Sequence, residues 1–446
     1  MNKVSKLLLT FGGAATAIIP AVAVSCTPSD NDKKIKDLEK QLADTKAQLT
    51  TAQTDLTNKT QELTTAQTNL TSKTQELADA IKRYNTVSLT SSNTWNSISA
   101  EKEAMGMEVY KQATAAFDAM ITQPNVSLTN VDSKGSAVTV TATEEGKFIP
   151  VVFMDLDETV LNNFAYQNYL VKNNTTFSLT TWHDFVMQAK SQEVAGAIKF
   201  IKHVWEKGGV VMFNSNRNQN DSSNGKIKGE VEASKTNLVN LGLDAKLMPE
   251  WIWWMQGTES ATPQKPFSQA NRDVKVSKEE RMHYINTNKL TIDKVQAQFK
   301  VVMRVGDDIS DFNDNFSKQQ GIKSAEVVAA LKDANNGYGI LFGNTDVNNK
   351  SVYFNIKTNK FEKEDFAASY ILIPGNTSYG SWVKQAVGSS AFNFDKANEL
   401  LAASGWVFTP SAPATTTTGT NTSTTTPAPA TGTQTGNGSA AATPAK

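Results

Sequence analysis

Three short apolar runs, each stopping on polar residues, constrain this chain most: Phe148–Asp155 (FIPVVFMD), Gly209–Ser215 (GVVMFNS) and Phe299–Asp307 (FKVVMRVGD). Runs so nearly continuous in apolar residues read as strands covered on both faces, not as the alternating strands of a half-solvated sheet. Helix-like stretches, Gly229–Leu241 and Ser277–Asn286, lie between the second and third runs, and an amphipathic stretch, Ala100–Met120, precedes the first. Buried strands separated by helices predict an α/β fold, a parallel sheet with helices on both faces. Ligands gather at the carboxyl ends of such strands, here Asp155, Ser215 and Asp307.

The flanks are of different kinds. With 446 residues the chain exceeds one ordinary domain of about 100–200 residues. Lys+Arg and Asp+Glu both total 44, so no broad basic field exists to hold a nucleic acid polymer. Ile35, Leu42, Leu49, Leu56, Leu63, Leu70, Leu77 and Tyr84 recur in sevens, and Leu49–Glu62 and Leu63–Glu76 form a 14-residue tandem repeat. The other seam positions, Leu38, Thr45, Ala52, Lys59, Ala66, Lys73 and Ala80, are only half apolar. That pattern predicts a weak α-helical coiled coil, a stalk that self-associates with a poorly specified number of strands. Pro410–Lys446, built from Thr, Ala, Pro, Gly, Ser, Asn and Gln with one terminal charge, cannot bury enough surface to order itself and predicts a disordered tail.

The single cysteine, Cys26, rules out an intrachain disulfide and a four-cysteine zinc site. Lys3 and Lys6 precede an apolar stretch, Leu7 to Val24, and Ala23-Val24-Ser25 places small residues before Cys26. The segment resembles a bacterial lipoprotein signal, which implies a diacylglyceryl group on Cys26 and a lipid anchor. An uncleaved N-terminal membrane helix is the other reading, and both put the rest of the chain outside the cytoplasm. The expected divisions are a signal with its lipidated cysteine (1–26), the stalk (27–85), a globular domain (86–409) and the tail (410–446).

The chemistry concentrates in two acidic turns. Asp155-Leu156-Asp157-Glu158-Thr159 follows the first run and Gly306-Asp307-Asp308-Ile309-Ser310-Asp311-Phe312 ends the third. Two carboxylates at one point repel unless a cation intervenes. Hard oxygen ligands from two strand ends suit one magnesium ion, which favours phosphate-bearing substrates. Ser215-Asn216-Arg217 ends the second run, and Lys278 lies between it and the third.

Together these segments resemble the haloacid dehalogenase-like phosphatases, specifically the class C, four-aspartate, nonspecific acid phosphatases. The resemblance rests on VVFMDLDETVLNNFAY (151–166), VVMFNSNR (210–217), VSKEER (276–281), VMRVGDDISDF (302–312) and LIPGNTSYGSW (372–382). It implies a three-layer αβα core with a small helical cap, and hydrolysis of small phosphomonoesters such as nucleoside 5′-monophosphates, the activity of a 5′-nucleotidase. Nicotinamide mononucleotide falls in the same substrate class. By the same resemblance Asp155 is the nucleophile, and Asp157 is the general acid and then the base, its backbone carbonyl facing the metal. Ser215 holds a phosphoryl oxygen and Lys278 offsets charge, with Lys275, one helical turn earlier, as the alternative lysine. Asp307 is a metal ligand together with Asp155 and Asp157, and Asp311 completes the acidic set. Asp308 and Ser310 stand where relatives more often carry Asn and Asp. An aromatic clamp for the base is expected from Tyr379 together with Phe177 or Trp182.

Other signals point to packing. His183, His203 and His283 lie on separate segments without an Arg-His-Gly pattern, and Trp251, Trp253 and Trp254 beside Pro249 read as core or subunit packing. Neither a serine-nucleophile pattern nor a glycine-rich nucleotide loop accompanies Ser215 or Gly208-Gly209. A reading from another class, a surface adhesin or scaffold carrying an inactive phosphatase-like domain, draws on the stalk and the Thr/Pro-rich tail.

Overall fold

The computed structural model describes residues 28–221, 229–260, 265–313, 328–329, 331–333, 337–355, 358, 360–375, 377–380, 383, 393, 395–396 and 399. Cys26, the leader before it and the tail 410–446 lie outside the described residues. The chain divides into two units, Met1–Ala397 and Asn398–Lys446, and the second is described at Glu399 alone.

The heptad region forms one helix, α1 (Pro28–Ser88), of 61 residues. Its threonines, poor helix formers by propensity, satisfy their hydroxyls on carbonyls one turn back, as Thr45 does on Gln41 at 2.7 Å and Thr60 on Leu56 at 2.8 Å. Ile35, Leu42, Leu49, Leu56, Leu63, Leu70 and Leu77 are each more than half exposed along it. No helix among the described residues is long and apolar enough to cross a membrane. A short α2 (Thr90–Ile98) leads to α3 (Ala100–Met120), whose start is fixed by the Ser99 side chain accepting from Lys102 N at 3.0 Å. α3 buries Tyr110, Ala113, Phe117 and Met120, a stripe spaced three, four and three residues apart.

The core follows: β1 (Ile149–Met154), α4 (Phe164–Lys172), α5 (Leu179–Met187), α6 (Ala197–Glu206), β2 (Val210–Phe213), α7 (Glu230–Asn240), α8 (Lys278–Thr287), β3 (Lys289–Ile292), β4 (Val295–Gly306), β5 (Lys350–Asn355), β6 (Lys360–Ala367) and β7 (Ser369–Leu372). The central sheet runs β7-β4-β1-β2, all parallel, with Val151 opposite both Val210 and Val301. Every residue of β1 and β2 is buried. Full burial of a Val, Phe or Met side chain stabilises by roughly 1.5–3 kcal/mol, so these ten positions anchor the fold. The α3 stripe and α6 (Ile198, Phe200, Ile201, Val204 and Trp205 buried) pack on each other, while α8 lies along β4. This is the expected α/β core. Trp253 and Trp254 are core residues, Trp253 lying 4.8 Å from the Phe213 ring.

One strand is longer than the sequence indicates. β4 begins four residues before Phe299, and Val295–Gln298 pair antiparallel with β3 through a two-residue turn in which Asp293 and Lys294 are both left-handed. A tight hairpin of this kind usually announces itself as Asn-Gly. Asp-Lys gives no such signal.

At the other end of β4, buried Arg304 pins the acidic turn to the sheet. It donates to the carbonyls of Asp311 (2.6 Å) and Phe312 (2.7 Å), between the Phe312 and Tyr370 rings. Arg304→Met leaves those two carbonyls without their charged donor. We expect a loss of about 3 kcal/mol, read as a lowered urea midpoint at constant slope. An unchanged midpoint would refute the role given to Arg304.

Candidate active site

Asp155 and Asp307 leave the carboxyl ends of neighbouring strands, with Asp155 N donating to Val305 O at 3.0 Å. Lys278 reaches them from the first turn of α8. That helix starts here because Ser277 and Glu280 form a reciprocal capping box, the Ser277 side chain accepting from Glu280 N at 3.0 Å and Glu280 accepting from Ser277 N at 3.1 Å. Lys278 Nζ, buried, donates to Asp155 Oδ1 at 2.6 Å and to Asp311 Oδ1 at 2.7 Å. Lys275 is exposed on a short strand pairing, so the lysine of the site is Lys278.

The second acidic turn is self-supporting. Asp308 caps a 3-10 turn by accepting from Ser310 N at 2.8 Å, and its own N–H donates to Asp311 Oδ2 at 3.0 Å. The departure at Asp308 and Ser310 thus leaves the turn closed. Gly306 is required at its base, since a methyl group there would overlap the Asp311 side chain. Asp307 Oδ1 accepts from Thr159 Oγ1 at 3.1 Å, which joins the two acidic turns.

One carboxylate oxygen from each of Asp155, Asp307 and Asp311 lies within 4.8 Å of the others. Asp157 takes no part in that cluster through its carboxylate. Its Oδ1 accepts from Arg217 Nη2 at 2.6 Å and from Asn163 Nδ2 at 2.6 Å. The metal contribution expected of Asp157 is therefore confined to its backbone carbonyl, and Asp311 supplies the third clustered carboxylate. Ser215, fully buried at the end of β2, accepts from Arg217 N at 3.2 Å. Arg281, also buried, donates to Asn214 Oδ1 (2.9 Å) and Ser215 O (2.8 Å), fixing that loop.

The aromatic expectations fall in two places. Phe177 is 55 % exposed at the edge of a cap cluster, 6.1 Å from the Tyr166 ring and 6.3 Å from that of Trp182. Tyr379 is half-buried in a loop tied to α2, where Ser378 Oγ donates to Asn93 Oδ1 at 2.5 Å and Asn96 Nδ2 donates to Thr377 Oγ1 at 2.8 Å. Two of the histidines pair with carboxylates, His183 with Glu230 at 3.2 Å and His203 with Asp118 at 2.7 Å. Arg217 and Asn163 lie within the motif segments 210–217 and 151–166, and the structure turns both onto Asp157. Nothing in spacing alone reveals that both converge on Asp157.

Burial dominates the electrostatics. It raises Asp155 to about 7, with Lys278 opposing and Asp311 and Asp157 adding to the rise. Burial likewise raises Asp307 well above the usual range and raises Asp311 and, to about 8, Glu158. Lys278 is itself pushed up, its burial outweighed by Asp155 and Asp311.

A parallel sheet whose neighbouring strand ends carry a buried aspartate cluster, met by a lysine from a helix N-terminus, is the arrangement of a phosphoryl-transfer site of the haloacid dehalogenase kind. Residues 38–339 match the sequence model of the HAD superfamily, subfamily IIIB (Acid phosphatase), and the chain belongs to that family of phosphomonoester hydrolases. The structure of the class C acid phosphatase from Bacillus anthracis is 19 % identical, covering 73 % of this chain and 99 % of that one, with a TM-score of 0.46. The crystal structure of the Bacillus anthracis enzyme with tungstate bound gives 18 % identity, the same coverages and a TM-score of 0.46.

Three clustered carboxylates with one ammonium among them leave a negative surplus, and an all-oxygen donor set of this kind fits a hard divalent cation. In the bare site Asp155 and Glu158 bind protons more tightly folded than unfolded. Stability therefore falls as pH rises from the unfolded carboxyl values near 4 towards about 7 and about 8. A divalent cation held by Asp155, Asp307 and Asp311 would take the place of the Asp155 proton. We expect chelator to lower the thermal midpoint by roughly 3–6 °C more at about pH 8 than at about pH 5. Equal shifts at both would refute competition between cation and protons at this cluster, and no shift at either would refute cation binding there.

Proposed function

We propose that this protein is a Mg2+-dependent acid phosphatase and 5′-nucleotidase that hydrolyses nucleoside 5′-monophosphates and related small esters through an aspartyl-phosphate. The observation that carries the reading is Lys278 held between Asp155 and Asp311, with Asp157 two residues beyond the nucleophile. Asp155 attacks phosphorus and forms a P–O bond while the ester P–O bond breaks, and Asp157 delivers its proton to the departing alkoxide. Asp157 then takes a proton from the water that attacks the aspartyl-phosphate, and breaking the bond to Asp155 releases orthophosphate. Ser215 donates to a phosphoryl oxygen, and Lys278 offsets the charge of the phosphoryl group and of Asp155. Asp155, the Asp157 carbonyl and Asp307 would hold one Mg2+ ion, with Asp311 beside them, and its charge favours an ionised Asp155 and an anionic transition state.

Phe177 and Tyr379 are the rings proposed to clamp a nucleobase or another aromatic group, including that of nicotinamide mononucleotide. Cys26 is proposed as a lipid attachment that holds the enzyme on the extracellular face of a membrane. Two or three acyl chains give stable anchoring where one does not. α1 would then be the stalk, and its exposed leucine stripe would pair with a second copy.

The test is phosphate release from AMP and p-nitrophenyl phosphate by the full chain, with Mg2+ and with EDTA. We expect metal-dependent release from both and a loss of at least about 1,000-fold in Asp155→Asn with the fold retained. Undiminished turnover in that variant would refute the nucleophile. Failure of the folded wild type to release phosphate from either ester would favour the adhesin reading.

A further inference from the structure

Asp157 is gripped unequally. Among the described residues its Oδ1 accepts three donors, Arg217 Nη2 (2.6 Å), Arg217 Nε (3.0 Å) and Asn163 Nδ2 (2.6 Å), whereas Oδ2 receives only a 3.3 Å contact from Arg217 Nε. We infer that Arg217 and Asn163 are positioning residues that anchor Oδ1 and leave Oδ2 as the oxygen that exchanges protons with the leaving group and with water. The inference rests on the reading of Asp157 as general acid and base.

Both anchors are themselves immobilised by one helix. Arg217 Nη1 donates to Ser234 Oγ at 2.9 Å, and Ser234 Oγ donates in turn to Glu230 O at 2.7 Å. Asn163 Oδ1 accepts from Ser191 Oγ at 2.6 Å, and Ser191 is clasped by Asn237, which accepts from its N–H (2.9 Å) and donates to its carbonyl (2.7 Å). Ser234 and Asn237 lie three residues apart on α7 and so share a face. The Asn163 backbone N–H donates to Glu158 Oε1 at 2.7 Å, which fixes the anchor from the other side. Arg217, Asn163, Ser191, Ser234 and Asn237 are all more than nine-tenths buried. Buried polar side chains persist when every partner is in place, and such a lattice holds one geometry. The Trp182 ring, 5.9 Å from the guanidinium carbon, covers Arg217 from α5.

A saturated Oδ1 has no convenient place for a proton, because protonation there displaces a charge-assisted donor. A carboxylic acid held by one oxygen delivers its proton along a fixed direction from the other. The benefit falls on esters that need it: an alkyl alkoxide leaves poorly without protonation, while p-nitrophenolate leaves without help. The second half-reaction, hydrolysis of the aspartyl-phosphate, is common to both esters and does not enter kcat/KM when phosphoryl transfer is irreversible.

The test compares kcat/KM for glycerol phosphate and p-nitrophenyl phosphate in the Mg2+-loaded full chain, wild type against Arg217→Gln, Asn163→Ala and Asp157→Asn, with thermal midpoints recorded for each. Arg217→Gln is expected to lose about 100-fold on the alkyl ester and under about 10-fold on the aryl ester. Asn163→Ala should show the same bias at about 10-fold, and Arg217→Lys, which restores one donor, should recover part of the loss. Equal losses on both esters in the Arg217 and Asn163 variants, with the bias present in Asp157→Asn, would overturn the positioning role alone. Absence of the bias in Asp157→Asn would instead overturn the general-acid reading. If Arg217→Gln does not fold, the Asn163→Ala result decides.

Discussion

A buried ammonium between two carboxylates organises the working end of this molecule. Lys278 touches Asp155 from the first strand and Asp311 from the turn after the long strand, so a single side chain ties the α8 N-terminus to both acidic turns. Such a pair is costly to desolvate and contributes little net stability. Its value lies in geometry, because only one placement of α8 satisfies both carboxylates. The Ser277–Glu280 capping box, the Arg304 clasp on the acidic turn and the glycine at 306 each fix one limb of that arrangement. Removing any of them disturbs the same few ångströms.

The two acids of the DLDET turn, only two residues apart, live in opposite environments. Asp155 is pushed towards neutrality by burial, with the neighbouring carboxylates adding to the rise, while Asp157 is turned to a guanidinium and an amide. Environment rather than residue type separates the two, as the proposed roles of nucleophile and proton carrier require. The left-handed backbone at Glu158 lets the chain turn back immediately, so that Leu161 O accepts from Glu158 N at 2.8 Å and the two carboxylates diverge.

Much of this was legible from the chain. Uninterrupted apolar runs located β1 and β2 to within two residues, because strands buried on both faces carry no alternation to blur their ends. The helix Ala100–Met120 and the helix-like stretch Ser277–Asn286 are local patterns and equally visible. Asp155, Asp307 and Lys278 were found because motif order and strand ends point to one edge of the sheet. The first residues of β4 were hidden by a hairpin lacking the usual Asn-Gly signature. Arg217 and Asn163 were hidden for another reason: their roles are fixed by partners 17, 28 and 60 residues away along the chain, and no period or spacing encodes such contacts. The choice between Lys275 and Lys278 required the helix start itself, which puts one lysine inside and leaves the other on a short exposed strand.

The 14-residue duplication within α1 bears on how such a protein can change over time. Two heptads are the smallest unit repeated there, and gaining or losing one copy lengthens or shortens the rod by about 21 Å while returning every leucine to its former seam. The distance between the catalytic core and the start of the rod is thus a quantity that lineages can vary in fixed increments, with no compensating substitution anywhere in the enzyme.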